Sequence, residues 1–173
     1  MFAPLGEGGL ILAIGAISWA IHAPLLFTSL GPTAYELVEK PESKSSRTYN
    51  IIVGHYVGLG AGFLALWILD AWKAPGVTQA GFADSARLWA AVLAVGITTL
   101  VTLALKAGQP ASLATTLLVS LGAMQTAKDG VSILIGVLII AVIGEPLRRL
   151  RLRMLQEKAS QPVSPGALRS DAA

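Results

Sequence analysis

The chain has 173 residues, 54% of them hydrophobic and only 13% charged, with a mean hydropathy of +0.66. A soluble domain carries about a quarter charged residues, so this composition excludes an ordinary soluble globule. The absence of cysteine excludes disulfides, haem thioethers, thiolate metal sites and a Cys nucleophile.

Five runs lack Asp, Glu, Lys and Arg: Gly8 to Tyr35, Ile51 to Leu69, Leu88 to Leu105, Ala107 to Ala127 and Gly130 to Gly144. A helix needs roughly 20 apolar residues to cross a hydrocarbon core about 30 Å thick. An all-α integral membrane protein follows. The apolar run after "MFAPLGEGG" is far longer than the ~7–15 residues of a signal-peptide core, so a retained first helix is expected.

In chain order, a long helix is predicted over about Gly8 to Leu26. A short segment, Ser29 to Val38, follows; Pro32 behind Gly31 fits the first turn of a new helix, where its missing N–H costs nothing. The polar link "EKPESKSSR" leads to a second long helix, about Asn50 to Trp72. "KAPGVTQAGFADSAR" separates two halves, about 8–72 and 84–150. A third long helix is predicted over Leu88 to Leu105, and "KAGQPAS" opens a second short segment, Ala111 to Met124. The last long helix begins near Val131 and runs into "EPLRRLRLRMLQEK". Residues 1–158 make one transmembrane domain, and the polar, Pro-rich stretch 159–173 reads as a disordered cytoplasmic tail.

The order repeats: four long helices, with one proline-marked short segment in each half. The stretches from Pro24, "PLLFTSLGPTAYELV", and from Pro110, "PASLATTLLVSLGAM", take equivalent places, and each holds a Ser-Leu-Gly. A pseudo-two-fold repeat with interrupted segments is what transporter duplications leave behind. Basic residues cluster after the last helix, which puts the C-terminus in the cytoplasm and explains the high pI without nucleic acid. With both short segments crossing, Lys and Arg divide nine inside to three outside. With both turning back, the division is seven to five. Charge thus favours six crossings with inverted halves, and the shortness of the first segment favours re-entry.

Polar groups inside the apolar runs are the candidates for function. His55 lies one turn into the second long helix; it either donates to an anion or relays a proton, or it is an interfacial histidine bonded to a backbone carbonyl. Ser29, Thr33, Ser112 and Thr115 sit at or near the starts of the short segments. Half-helix N-termini attract anions, although such hydroxyls also satisfy carbonyls in a broken helix. Arg47 stands apart in a mixed cluster with Glu36, Glu39, Glu42, Lys40 and Lys44, because a guanidinium grips planar oxyanions through paired donors. Gly54, Gly58 and Gly62 repeat at four-residue spacing, a helix-packing pattern in lipid. "GLGAG" lacks the strand and spacing of a dinucleotide site. No residue arrangement points to an enzyme, a metal site or a bound cofactor.

The motifs Ser29-Leu30-Gly31, Pro41-Glu42-Ser43 and Asn50 with Gly54 and His55 resemble the HPP family of small integral membrane proteins. Over residues 8 to 150 the likeness extends to Gly108-Gln109-Pro110-Ala111-Ser112, where only the last proline of the naming His-Pro-Pro remains. The resemblance implies a four-helix membrane protein, and family members in cyanobacteria and plastids are associated with nitrite transport. It marks Asn50, Gly54, His55 and Pro110 as site positions, with Gly31 in the first turn. The expected function is a permease for a small anion, with nitrite the leading candidate, in a bacterial inner membrane and as a homo-oligomer. The other reading is a membrane scaffold whose glycine face packs partner helices.

Overall fold

The computed structural model describes residues 2–160, and the regular structure among them is helical. The elements are α1 (Phe2–Ala20), α2 (Leu30–Glu39), α3 (Thr48–Ile68), a 3-10 turn (Ala71–Lys73), α4 (Val77–Ala80), α5 (Ser85–Ala104), α6 (Ala111–Ser120) and α7 (Ala127–Ser160). Four helices, α1, α3, α5 and α7, are long and apolar enough to cross a membrane. Ala159 and Ser160, expected in the tail, close α7; the rest of that tail lies outside the described residues.

Local chemistry sets the boundaries. Asp84 caps α5, its carboxylate accepting from the Ala86 amide at 2.8 Å, a standard use of an N-terminal Asp. The expected first helix stops short at Ala20. There His22 takes a left-handed turn at φ 53° and the Ala23 amide returns to the Ser18 carbonyl at 3.1 Å. The apolar residues that follow, Ala23 to Phe27, form no helix, so charge-free sequence outlasts the helix. α6 likewise ends four residues before Met124, since Gly122 adopts φ 81°, a conformation glycine holds without Cβ strain.

Contacts fix the direction of each helix. At one end the start of α1 meets the end of α2 and the later part of α7, because Gly6 lies against Val38 and Leu147. Arg148 there donates to the Pro41 carbonyl at 2.7 Å, Thr48 to Glu145 at 3.1 Å, and Tyr49 to the Leu105 carbonyl at 3.1 Å. At the other end Arg87 binds Ser120 and Ala74, and Gly130 meets Phe63. α1, α2, α3, α5, α6 and α7 therefore alternate in direction. Each short helix, about 15 Å long at 1.5 Å per residue, completes its passage with the irregular chain preceding it. The nine basic residues of the six-traverse topology gather at the end holding both termini of the bundle, and Lys73, Arg87 and Lys128 lie at the other.

The helices of the two halves are arranged alike, in opposite directions. α1 packs on α2 and α7, as α5 packs on α6 and α3. One interval in sequence relates Gly54 to Gly136, Gly62 to Gly144 and Thr33 to Thr115. Gly54 packs on Gln109 ahead of α6, and Gly136 on Leu25 and Phe27 ahead of α2. The two Ser-Leu-Gly triplets do not correspond at this interval. Ser29 caps the start of α2, whereas Ser120 ends α6. Pro24 and Pro110 differ as well: Pro110 caps α6, but Pro24 lies in the non-helical lead before α2.

Candidate functional site

His55 is fully buried on α3, where α2 and α6 converge. Its Nε2 lies 3.0 Å from Thr33 Oγ1 on α2. Its Nδ1 lies 2.7 Å from Thr115 Oγ1 on α6. Thr115 Oγ1 is in turn 2.7 Å from Ser29 Oγ, and Thr33 Oγ1 donates to the Ser29 carbonyl at 2.9 Å. Ser29, Thr33 and Thr115 are all fully buried. The repeat thus brings one threonine from each half onto a single imidazole, whose counterpart at the same interval is Val137.

One proton arrangement satisfies every group in this ring. Thr33 spends its hydrogen on the Ser29 carbonyl, so it accepts from His55 Nε2–H. A neutral imidazole with that tautomer has a bare Nδ1, which accepts from the Thr115 hydroxyl. Thr115 then accepts from Ser29 Oγ–H. The chain starts on the Ser29 hydroxyl and returns to the Ser29 carbonyl with every donor used, which is the condition for burying polar groups at little cost.

Hydroxyls continue along α6. Thr116 Oγ1 donates to the Ser112 carbonyl at 3.0 Å and lies 2.9 Å from Thr98 Oγ1 on α5; Ser112 Oγ donates to the Gln109 carbonyl at 2.6 Å. Asn50 donates to the Gly108 carbonyl at 3.2 Å, tying the start of α3 to the chain leading into α6. A surface cavity of about 380 Å³ opens there, with Ser45, Thr102, Gln109, Pro110 and Ser112 in its wall.

Among the expected site residues, His55, Ser29, Thr33 and Thr115 are in direct contact. Ser112, Gly54 and Asn50 are buried beside them and shape the α3–α6 contact. Pro110 borders the cavity. Arg47 and Gly31 are exposed and stand apart from the ring. The glycine face of α3 is consumed within the chain: a Cβ on Gly58 would stand 2.7 Å from the Ser112 carbonyl oxygen, and one on Gly62 would stand 2.8 Å from Val119 Cβ.

Sequence reasoning missed Arg87, counted only as a loop charge. It is fully buried and donates to the Ala74 carbonyl at 2.8 Å, to the Ser120 carbonyl at 3.4 Å and to Gln125 Oε1. It locks α5, the link between halves and the end of α6 together. The available signal was its position just inside a helix capped by Asp84. Gln109 was also missed; its side chain is buried and faces the Glu36 carboxylate.

An inverted pair of three-helix units, closed over a buried histidine between two half-length helices, defines a polytopic integral membrane protein. The family described as HPP, transmembrane region, matches residues 1–154, and the chain belongs to it. No curated protein and no solved structure matches the chain.

Proposed function

We propose that the chain is a membrane permease for a small inorganic anion, with nitrite the leading candidate, rather than an enzyme. The observation that carries this reading is the burial of His55 between matched threonines of the two inverted halves, at the convergence of their half-length helices. Inverted repeats with discontinuous helices place solute sites at this kind of junction. An intramembrane ionisable residue is costly to bury without a role. Hydroxyl and imidazole donors suit a small oxyanion, and the cavity beside Ser112 and Gln109 supplies an approach from one end. Family membership supports the transporter class, and the choice of nitrite rests on the family resemblance.

The basic residues at the end shared by the helical termini favour that end as cytoplasmic, in a bacterial inner membrane and as a homo-oligomer. The scaffold reading loses its main support, because Gly54, Gly58 and Gly62 pack on helices of the same chain. Uptake of nitrite, nitrate, formate and chloride into liposomes containing the purified protein tests the proposal. Saturable nitrite uptake that collapses in His55→Ala, with folding intact, is expected. No flux of any anion by a folded, inserted protein overturns it.

A further inference from the structure

The proton arrangement around His55 has a second consequence. With the ring neutral, every polar hydrogen in the circuit is spent and the site offers nothing to an anion. Adding a proton at Nδ1 makes both nitrogens donors. Thr115 then accepts from Nδ1, and when its own hydrogen turns to Ser29 Oγ, 2.7 Å away, the Ser29 hydrogen is left without an acceptor in the ring. Protonation thus creates two things at once in a buried place: a positive charge and a free hydroxyl donor.

An isolated imidazolium in a low-dielectric interior is unfavourable, and a bound anion beside it restores neutrality. Other charges do not fill this role. No charged side chain among the described residues pairs with the ring. On the packed elements, α6 carries no titratable group. α2 carries the exposed Tyr35, Glu36 one turn beyond Thr33 and turned to Gln109, Ser45 and Lys40, and Glu39 at its end. On α5, Arg87 lies at the opposite end of the bundle. On α7, Glu145 is held by Arg148 and Arg149. The other titratable groups of α3 are phenols, Tyr49 and Tyr56, bonded to the Leu105 and Leu134 carbonyls.

We propose that His55 is a proton-binding site linked to the anion site, so that the chain carries one proton with each anion as an electroneutral symporter. This rests on the permease reading and deepens it. The cycle balances: a proton from the aqueous side binds Nδ1, the Thr115 and Ser29 hydrogens rotate without leaving their oxygens, and the anion accepts from Ser29. On the other side the anion departs, the proton leaves Nδ1 and the neutral ring closes again. Only the neutral pair crosses, so no net charge moves through the apolar interior.

The test uses His55→Gln. Glutamine keeps a donor for Thr33 and an acceptor for Thr115 but cannot take up a proton. Initial nitrite uptake is measured in liposomes against protein-free controls, with an imposed proton gradient or an imposed potassium-diffusion potential. The wild type is expected to accumulate nitrite roughly tenfold for one unit of inward proton gradient and to ignore the potential. His55→Gln is expected to lose the proton drive. Separately, nitrite is added to the detergent-purified protein in weakly buffered solution. Uptake of about one proton per chain is expected in the wild type, and none in His55→Gln.

Potential-driven wild-type flux indifferent to the proton gradient refutes the symporter and leaves the permease. Loss of the proton drive in Glu36→Gln but not in His55→Gln refutes the assignment to His55. Nitrite-linked proton uptake without any flux upholds the coupled site and refutes the permease. Absence of both flux and linked proton uptake refutes both readings.

Discussion

Gly58 offers the sharpest test of the packing between the halves. A Cβ placed there would stand 2.7 Å from the Ser112 carbonyl oxygen and 2.8 Å from Thr116 Oγ1. A relaxed carbon–oxygen contact lies at about 3.3–3.6 Å, so α3 and α6 must part by roughly half an ångström or more. Neither neighbour yields easily. The carbonyl is backbone, and Thr116 Oγ1 is already bonded to Ser112 and Thr98. Overpacking of this sort costs about 1–3 kcal/mol, and for a chain of this size each kcal/mol lowers the melting temperature by about 2–4 °C. Gly96 on α5 is the control, because a Cβ there meets nothing within 4 Å. Thermal unfolding of the detergent-solubilised protein is expected to drop by several degrees in Gly58→Ala, with Gly96→Ala within about 2 °C of wild type. Equal melting of the two variants would refute the α3–α6 geometry from which the site is built.

Replacing Arg87 by Met removes the donors that satisfy the Ala74 and Ser120 carbonyls and Gln125. A loss of about 3 kcal/mol or more is expected from acceptors left buried and unpaired, read as a drop in folded yield and melting temperature. Arg47→Ala, by contrast, is expected to leave melting unchanged and nitrite uptake within about twofold of wild type, since surface side chains without special contacts contribute little. Hydrogen–deuterium exchange is expected to be faster over Leu30–Glu39 than over Ala111–Ser120. α6 packs directly against both α3 and α5, whereas α2 meets its neighbours through longer side chains, and fewer close contacts mean cheaper local opening. Slower exchange in α2 would contradict that ordering.

Composition carried the membrane class, the four long helices and the two short ones. Each rests on charge-free runs and on Pro or Gly punctuation, which act locally. The convergence of Ser29, Thr33, His55 and Thr115 was also accessible, because polar side chains inside apolar runs must find one another. Three features were not accessible. The end of α1 depends on a left-handed residue at His22, and histidine is no recognised signal for that turn. The repeat register misled because two identical Ser-Leu-Gly triplets serve opposite ends of their helices; the true alignment shows in which glycines face which lead-in segments. Arg47 and Arg87 differ in burial. Arg47 precedes its helix and stays exposed. Arg87 follows a cap by one turn and is drawn under the chain that joins the halves, where carbonyls replace water.

The asymmetry inside the repeat is as informative as the repeat. The same interval that relates Thr33 to Thr115 relates His55 to Val137 and Ser29 to Ala111, so the second half keeps the threonine of the site but neither its histidine nor its serine. The glycine contacts differ in one place: Gly58 on α3 admits the α6 backbone itself, where the same interval puts Ile140 on α7. Backbone on backbone is the tighter arrangement. It makes α3, α5 and α6 the better-packed body, onto which α2 brings Ser29 and Thr33. His55 then belongs to the rigid body and bonds to both. A displacement of α2 breaks the Thr33 and Ser29 contacts while Thr115 stays in place.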